Sequence, residues 1–365
     1  MTIGDWDPSC ELPDQFLEIP HAIYGNDTNW VPENRASVIS SFSGGNPYFE
    51  NNAALVIAED GIRLAGFFNP NLNIDGQKVA FFGYWETPNN LESNQRVFSK
   101  FESWAKNKGA EQVFGPINFS TFGDYRLRID GFDRPQFLGE PYNPNYYPEL
   151  LASLGYEVRY KYFTACCTIE TLAFAAKMQM EHLEKKVSAA GIEIVPLTPE
   201  YWIDNLDQLY PIIDCIFSEN FAYTPITFDQ FKVYCGEKFA KKFCTKMSNI
   251  ALKGDKLVAF QLFYPDYSPL VTQIHEPPIP VEDIRYSEHF DLLPEPRTFL
   301  GKTVGTLPEF RSMGLYYYQG FFGTLRAVGS YQFGYGAMVR EDNHSAAIKK
   351  FAQHNYHYAL FTKTL

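Results

Sequence analysis

The sequence predicts a mixed α/β fold, in which a mainly antiparallel β-sheet is flanked by helices, arranged as two similar halves. Its 365 residues are more than one hydrophobic core usually organises and enough for two. Hydrophobic residues make up 45% of the chain and charged residues 20%, which is typical of a folded globular protein. Strand-like and helix-like patterns also follow each other in the same order twice, which favours two α/β domains in succession.

The first half contains alternating strand patterns followed by an amphipathic helix. This helix places Val97, Phe101 and Trp104 on one face and ends at Gly109. The predicted elements are a helix at 13–24, strands at 53–58, 62–68 and 78–85, a helix at 92–108 and a strand at 112–117.

The second half repeats this order after a charged amphipathic helix at 172–190, which connects the halves and ends at Gly191. Its predicted elements are a strand at 192–196, a helix at 199–217, a hairpin of strands at 249–253 and 256–264, a strand at 297–307, a helix at 315–328, a strand at 331–339, a helix at 345–354 and a strand at 358–362. These patterns divide the chain into an N-terminal domain at 1–171, the connecting helix at 172–190 and a C-terminal domain at 191–365.

A shared spacing of asparagines supports duplication. Asn143 precedes Gly155 by twelve residues, and Asn343 precedes Asn355 by the same distance. In each case we expect the first Asn to cap a helix and the Gly or Asn at the end to adopt the left-handed turn. Matching positions in both halves indicate an internal repeat.

Charge and cysteine usage exclude several classes of protein. The 31 Lys and Arg against 43 Asp and Glu give a net charge of −12, which repels nucleic acid on average. The six cysteines include no Cys-x-x-Cys pair, so neither a metal site nor a disulfide scaffold is expected. The N-terminus lacks a signal-peptide pattern, and no apolar stretch approaches the ~18 residues of a membrane span. We therefore expect a cytoplasmic protein with no membrane partner.

The stretch 302–316 is the most informative for chemistry, because a strand leads through a tight turn with an arginine and a glycine into a helix. Backbone amides and the dipole at a helix N-terminus favour an anion such as a pyrophosphate. Gly314 would let that backbone approach closely, since it has no Cβ. An ordinary strand–helix turn is the alternative interpretation.

These residues resemble a known motif. Pro308-x-x-Arg311-x-x-Gly314 after a strand is similar to the acyl-coenzyme A motif of the Gcn5-related N-acetyltransferase (GNAT) superfamily, and Asn343-x-x-Ala346 resembles its next conserved block. Other segments resemble a bacterial family of tandem proteins of this type: Phe16-x-x-x-Pro20-x-x-x-Tyr24, Tyr142-Asn143-Pro144-x-x-Tyr147 and Asn220-x-x-Tyr223-x-Pro225-Ile226-Thr227. The resemblance covers nearly the whole chain and implies two tandem acyl-CoA N-acyltransferase-like domains.

The resemblance also implies where acetyl-CoA or another acyl-CoA would bind as co-substrate. Asn343 would lie near the far end of the cofactor. The backbone that would hold the pyrophosphate belongs to Arg311, Ser312, Met313, Gly314 and Leu315. The strand residues that would pair with the pantetheine arm are Thr303, Val304, Gly305 and Thr306.

Two departures from the motif leave the catalytic residues unassigned. Tyr316 stands where the motif has Gly or Ala, and the last helix offers Lys350 and Phe351 where the superfamily often has a tyrosine as general acid. Tyr316 or Tyr317 could replace that tyrosine, although packing alone also explains a tyrosine cluster. The matching turn in the first half, 86–91, has neither the basic residue nor the glycine, so that half is predicted to have lost the cofactor site.

A general base is also required to deprotonate an amine. Glu276, in a proline-rich insertion, is a candidate, and a solvated loop is its alternative interpretation. The predicted function is an acyl-CoA-dependent N-acyltransferase that transfers an acetyl or other acyl group to a small-molecule amine. The alternatives are a non-catalytic ligand-binding or scaffold protein that kept the fold, and an aminoacyl-tRNA-dependent transferase, against which the acidic charge argues.

Overall fold

A computed structural model describes residues 4–272 and 275–365. The chain forms two compact units, one ending at Tyr162 but including His357–Leu365, and the other comprising Phe163–Tyr356. These bounds differ from the predicted ones, because the helix expected at 172–190 lies within the second unit. The end of the chain also groups with the first unit, where it adds a strand to the sheet.

Twelve strands are present in the described residues. They are β1 (Ala53–Glu59), β2 (Ile62–Ile74), β3 (Gln77–Glu86), β4 (Gln112–Gly115), β5 (Leu127–Arg128), β6 (Glu157–Thr168), β7 (Ile192–Pro196), β8 (Asn249–Lys253), β9 (Lys256–Pro265), β10 (Thr298–Thr306), β11 (Phe333–Arg340) and β12 (His354–Thr364). The first unit has the strand order β1-β2-β3-β4-β12, and the second has β11-β10-β9-β8-β7. Most neighbours are antiparallel, so the predicted mixed α/β class is confirmed.

Helices pack on these strands. The α-helices are α1 (Asp14–Tyr24), α2 (Arg35–Ser41), α3 (Leu91–Asn107), α4 (Tyr147–Ser153), α5 (Ile169–Ala189), α6 (Pro199–Asp204), α7 (Leu206–Phe217), α8 (Phe228–Cys235), α9 (Glu237–Ala240), α10 (Ser268–Val271), α11 (Tyr286–His289) and α12 (Leu315–Ala327). The 3₁₀ helices are Pro47–Glu50, Val281–Asp283, Phe290–Leu292, Pro308–Met313 and His344–Phe351.

The two units repeat one arrangement of elements. In the first, β1-β2-β3 form an antiparallel meander, and α3 then leads to β4, which pairs parallel with β3. In the second, β8-β9-β10 form the meander, and α12 leads to β11, parallel with β10. A parallel pair needs a long crossover, which each helix provides. The predicted duplication is therefore visible as a shared β-β-β-α-β order.

The crossover helices α3 and α12 contribute buried side chains to the hydrophobic cores of their units. Asn90 caps α3 by accepting a bond from the Ser93 amide at 3.1 Å, and the buried face of the helix includes Phe101 and Trp104. Both rings lie so close to Gly66 of β2 that a Cβ there would come within 2.9 Å of each. The second crossover helix, α12, packs on α5 as well as on the strands β8, β9 and β10. It therefore has apolar contacts on two sides.

Of the four residues in the spacing that suggested duplication, two adopt the predicted conformations and two do not. Asn343 does cap a helix, since its Oδ1 accepts from the Ser345 amide at 3.0 Å, and Gly155 does adopt a positive φ of 83°. Asn143 instead bonds the backbone of Arg128, and Asn355 lies within β12. The predictions of a helix cap at Asn143 and of a left-handed turn at Asn355 are therefore wrong. Tertiary contacts with a strand backbone and strand pairing determine the conformations of these two residues.

Two predicted helices also differ. The helix expected at 199–217 is broken between α6 and α7 at Asn205, whose side-chain amide donates to the Tyr201 carbonyl at 2.7 Å. That carbonyl would otherwise accept an intrahelical bond, so the side chain competes with the helix. The helix expected at 345–354 is a 3₁₀ helix ending at Phe351, because β12 begins at His354.

We predict that Gly334→Ala destabilises the protein by about 1–3 kcal/mol, the usual cost of overpacking a core. A Cβ at Gly334 would lie 2.1 Å from Cζ of Phe299, the residue paired with it on β10. That ring is itself packed between Phe263 and Tyr331.

The control is Gly320→Ala in α12, where the nearest atom to a Cβ is 3.5 Å away. This change should be neutral or stabilising by up to about 1 kcal/mol. Urea unfolding monitored by fluorescence measures both variants. Equal stability of Gly334→Ala and wild type would contradict the close packing of Phe299 on Gly334.

Candidate functional site

The second unit has an opening in its sheet where two parallel strands separate. The ladder between β10 and β11 extends only from Thr298–Phe333 to Gly301–Gly336. On its other side, β10 remains paired with β9 as far as Thr306, after an irregularity between Gly301 and Thr303. Beyond Gly301, one edge of β10 therefore lies outside any ladder with β11 in the described residues.

A cavity of about 580 Å³, including its open mouth, lies at this separation. Its lining comes from β9, β10, β11, α5, α12 and the 3₁₀ helix His344–Phe351. The lining residues are Leu172, Gln261, Phe263, Phe299, Gly301, Val304, Tyr316, Tyr317, Gly320, Phe321, Thr324, Gly334, Tyr335, Gly336, Ile348 and Phe351. A concave opening with a largely apolar lining is the usual form of a small-molecule site.

The 3₁₀ helix covers one side of the cavity. Residues three apart eclipse in a 3₁₀ helix, so Ile348 and Phe351 share a face, and both line the cavity. The Phe351 ring lies 6.0 Å from Phe321 and 6.3 Å from Tyr317, centroid to centroid. Lys350 places its ammonium 4.3 Å from the centre of the Tyr317 ring. This wall is therefore aromatic, with a cation at its edge.

The turn that follows β10 is a 3₁₀ helix, Pro308–Met313, and ends at Gly314 with φ 80° and ψ 15°. This left-handed conformation directs the chain into α12 and favours glycine. Helix α5 supports the turn, because Lys186 Nζ donates to the Ser312 carbonyl at 2.8 Å and Leu183 lies 3.1 Å from the position of a Gly314 Cβ. The amides at the start of α12 therefore stand beside the cavity mouth.

Comparisons with known proteins identify this arrangement. A GCN5-related glucosamine N-acetyltransferase region of a fungal multi-domain GH3 β-N-acetylglucosaminidase aligns over 99% of this chain and 38% of that chain, with a TM-score of 0.52 and 11% identity. The chain has the fold of the GCN5-related N-acetyltransferases. The fold that the sequence resemblance implied is thus confirmed.

Two other comparisons concern a sequence relative and a second solved structure. Protein YghO of Escherichia coli (strain K12) is 22% identical over 224 residues, which cover 59% of this chain and 56% of that protein. The chain thus spans about half the length of the curated relative it matches. A tandem GNAT protein from the clavulanic acid biosynthesis pathway aligns over 96% of this chain and 94% of that chain, with a TM-score of 0.49 and 10% identity. No family model matches the chain.

Within this GNAT fold, the predicted strand residues divide between two faces. Val304 lines the cavity. Gly305 faces the opposite side, where a Cβ would lie 2.6 Å from the Phe260 ring. Thr303 pairs with Leu262 of β9, and Thr306 pairs with Ala259. At these positions the opposite edge of β10 is outside the ladder with β11.

The predicted turn residues occupy the 3₁₀ helix and the start of α12. Arg311 is exposed and forms an ion pair with Glu219 at 2.8 Å, a type of surface pair that contributes little to stability. Ser312 and Met313 precede the left-handed Gly314, and Leu315 begins α12 as a buried residue.

The remaining predicted residues lie in three places. Tyr316 and Tyr317 line the cavity, whereas Asn343 is exposed and uses its side chain to cap the 3₁₀ helix. Burial raises the pKa of the Tyr316 phenol well above its usual value. Glu276 is exposed and is not among the residues that line the cavity.

Sequence reasoning missed most of the cavity wall. Gln261 of β9 donates from Nε2 to the Tyr316 carbonyl at 2.6 Å and so holds the first turn of α12 against the sheet. Gly336 lies where a Cβ would come within 2.8 Å of Ile348, so the glycine lets the 3₁₀ helix approach the strand. The pattern Gly334-x-Gly336 on a strand was the available signal for this close approach.

The equivalent turn of the first unit, after β3, is filled by the protein itself. Tyr24 and Tyr147 donate to the same Glu86 carboxylate oxygen at 2.5 and 2.8 Å, and Tyr147 accepts from the Thr87 amide at 2.8 Å. Arg63 lies 3.8 Å from the other carboxylate oxygen. A carboxylate and two phenols thus occupy the end of this strand.

Neither a membrane-spanning helix nor a metal-binding group is found in the part of the chain that the structure describes. No helix there is both long and apolar enough to cross a membrane. No group of three or more His, Cys, Asp or Glu side chains there is arranged to hold a metal ion.

We predict that, as the pH rises from 4.5 to 7, the free energy of unfolding falls less in Glu86→Gln than in wild type. Burial raises the pKa of Glu86 to about 7 from its usual 4.5. A carboxyl whose pKa is higher in the folded state stabilises fully below the unfolded pKa, and this stability is lost as pH rises through the folded pKa. The difference between the two pKa values corresponds to at most about 3 kcal/mol in the free energy of unfolding.

Urea unfolding at pH 4.5, 6 and 8 measures this effect. The exposed Glu11→Gln variant is the control, and its pH curve should follow wild type. A Glu86→Gln curve parallel to wild type across this range would contradict a carboxyl that titrates near neutrality.

Proposed function

We propose that the second unit is an acyl-CoA-dependent N-acyltransferase that transfers an acetyl or other acyl group to a small-molecule amine. The observation that carries the proposal is the edge of β10 after Gly301, which leaves the β11 ladder and runs directly into the turn Pro308–Met313. Strand edge, turn and cavity therefore meet at one place in a GNAT fold.

The residues present fit an acyl-CoA. The peptide groups of 303–306 offer the donors and acceptors that an extended pantetheine arm, with its own amides, requires. The 13-residue helix α12 begins at Gly314, and its first amides suit a pyrophosphate. The side chain of Arg311 is exposed and bonds an exposed carboxylate and, at 3.5 Å, the Thr306 carbonyl, and a phosphate could compete for both contacts. When bound, the thioester supplies an activated acyl group at the cavity.

Of the three tyrosines that line the cavity, we assign the role of proton donor to Tyr316. Its phenol lines the cavity, and its oxygen is 3.5 Å from the Ser345 carbonyl, too far for a strong hydrogen bond. Burial raises its pKa further above neutrality, so the phenol carries its proton at neutral pH, as an ordinary tyrosine does. A protonated phenol at this position is suited to protonate a departing thiolate.

A second candidate is an acyl-CoA-binding protein without turnover. Among the described residues that line the cavity there is no Asp, Glu or His, so the wall offers no general base. Lys350 and Phe351 also occupy the helix from which a tyrosine was expected. The two candidates differ in whether bound acyl-CoA is consumed when amines are supplied.

We predict that Gly314→Val lowers the affinity for acetyl-CoA at least tenfold. A branched side chain at φ 80° strains the turn and collides with Leu183, which displaces the amides at the start of α12. Isothermal titration measures the affinity. The matched control is Gly329→Val, which imposes the same strain at φ 84° in open space at the other end of the helix.

Retention of binding in Gly329→Val and its loss in Gly314→Val would support the site. If wild type binds no coenzyme A thioester, the proposed function is wrong. Equal losses in the two variants would mean that general strain, and not the turn, controls binding.

We also predict that Tyr316→Phe lowers kcat by about 100-fold while acetyl-CoA affinity changes little, the usual effect of removing a general acid. Tyr317→Phe is the control, since its ring also lines the cavity and stacks on Phe321. Release of free coenzyme A thiol in the presence of a panel of small amines measures turnover. An unchanged kcat in Tyr316→Phe would exclude its phenol as the acid.

A further inference from the structure

The cavity at the strand separation is almost entirely apolar. Gln261 contributes the one side-chain amide, and its Nε2 is already bonded to the Tyr316 carbonyl. Thr324 is buried within α12. The large apolar and aromatic side chains on its wall are Leu172, Phe263, Phe299, Val304, Tyr316, Tyr317, Tyr335, Phe321, Ile348 and Phe351.

The glycines at this site add room to the apolar wall. Gly320 of α12 lines the cavity, and a Cβ built on it meets nothing closer than Gln261 Oε1 at 3.5 Å. Gly336 lets Ile348 approach the strand and form the cover of the cavity. The space is thus bounded by apolar groups on the helix side and on the strand side.

Such a wall does not match an acetyl group. An acetyl group presents one methyl, which leaves most of the apolar surface without a partner. Each further methylene buried in a site of this kind tightens binding by about fourfold, equivalent to ~0.8 kcal/mol. A wall of this composition therefore selects hydrocarbon over a short or polar acyl group.

We propose that the cavity holds the hydrocarbon tail of an acyl thioester, and that the donor therefore carries a chain longer than acetyl. This inference rests on the proposed function. In the transfer, the amine nitrogen forms a bond to the acyl carbonyl carbon and the carbon–sulfur bond breaks. The amine loses a proton, and the coenzyme A thiolate takes one up, so the products are an N-acyl amide and free coenzyme A.

The first test is isothermal titration of wild type with coenzyme A and with acetyl-, butyryl-, octanoyl- and decanoyl-CoA. We expect acetyl-CoA to bind about as tightly as coenzyme A, and octanoyl-CoA to bind at least 100-fold more tightly, from about fourfold per methylene. Equal affinities for acetyl- and octanoyl-CoA, or weaker binding of octanoyl-CoA, would overturn the inference and leave the proposed function intact. If none of the five binds, the proposed function itself fails.

The second test narrows the cavity with Gly320→Leu. We expect octanoyl-CoA affinity to fall about 30-fold, the equivalent of two to three methylenes displaced, and acetyl-CoA affinity to fall less than threefold. Arg326→Leu is the control, because it adds the same side chain to an exposed position of the same helix. Its affinities should match wild type.

Gly320→Ala is a smaller substitution that tests the same position if Gly320→Leu fails to fold. It adds only a Cβ, for which the structure has room. It should weaken octanoyl-CoA binding and leave acetyl-CoA binding unchanged, with a melting temperature equal to or above that of wild type. Equal weakening of every coenzyme A species in both variants would show that the pantetheine, and not the acyl tail, occupies this space, and would overturn the inference.

Discussion

The parallel ladder between β10 and β11 ends at Gly301 and Gly336, and the rest of the second unit is arranged around this early end. Beyond it, β10 keeps its antiparallel bonds to β9, whereas β11 no longer pairs with its other edge in the described residues. The same separation creates the cavity that side chains of α12 and the 3₁₀ helix then line.

The first unit has the same order of elements but fills the corresponding region. Phe82 of β3 lies across Gly115 of β4, so that a Cβ on this glycine would come within 2.4 Å of the ring. Beyond the strand pair, Ile117 still donates its amide to the Phe82 carbonyl at 2.7 Å. Glu86 and Tyr147 then occupy the turn. The same order of elements thus places Glu86 and Tyr147 at the strand end in one unit and a cavity at the strand separation in the other.

Helix α5 has a larger role than a connector between halves. It packs along α12, places Leu183 beside Gly314 and bonds the Ser312 carbonyl through Lys186. The turn is thereby held in place by contacts from α5. A turn held by a neighbouring helix loses less entropy on binding an anion than a mobile loop would.

The sequence by itself determined most of the elements and the position of the turn, because strand alternation, helical periodicity and left-handed glycines such as Gly314 are local signals. Tertiary structure decided the rest. Asn355 became part of β12 and the 3₁₀ helix ended at Phe351, because strand pairing at the chain terminus outweighs local helix propensity. The cavity wall joins residues as distant along the chain as Leu172 and Ile348, and no local pattern brings such residues together. Their meeting depends on where two strands stop pairing, which is a property of the folded sheet.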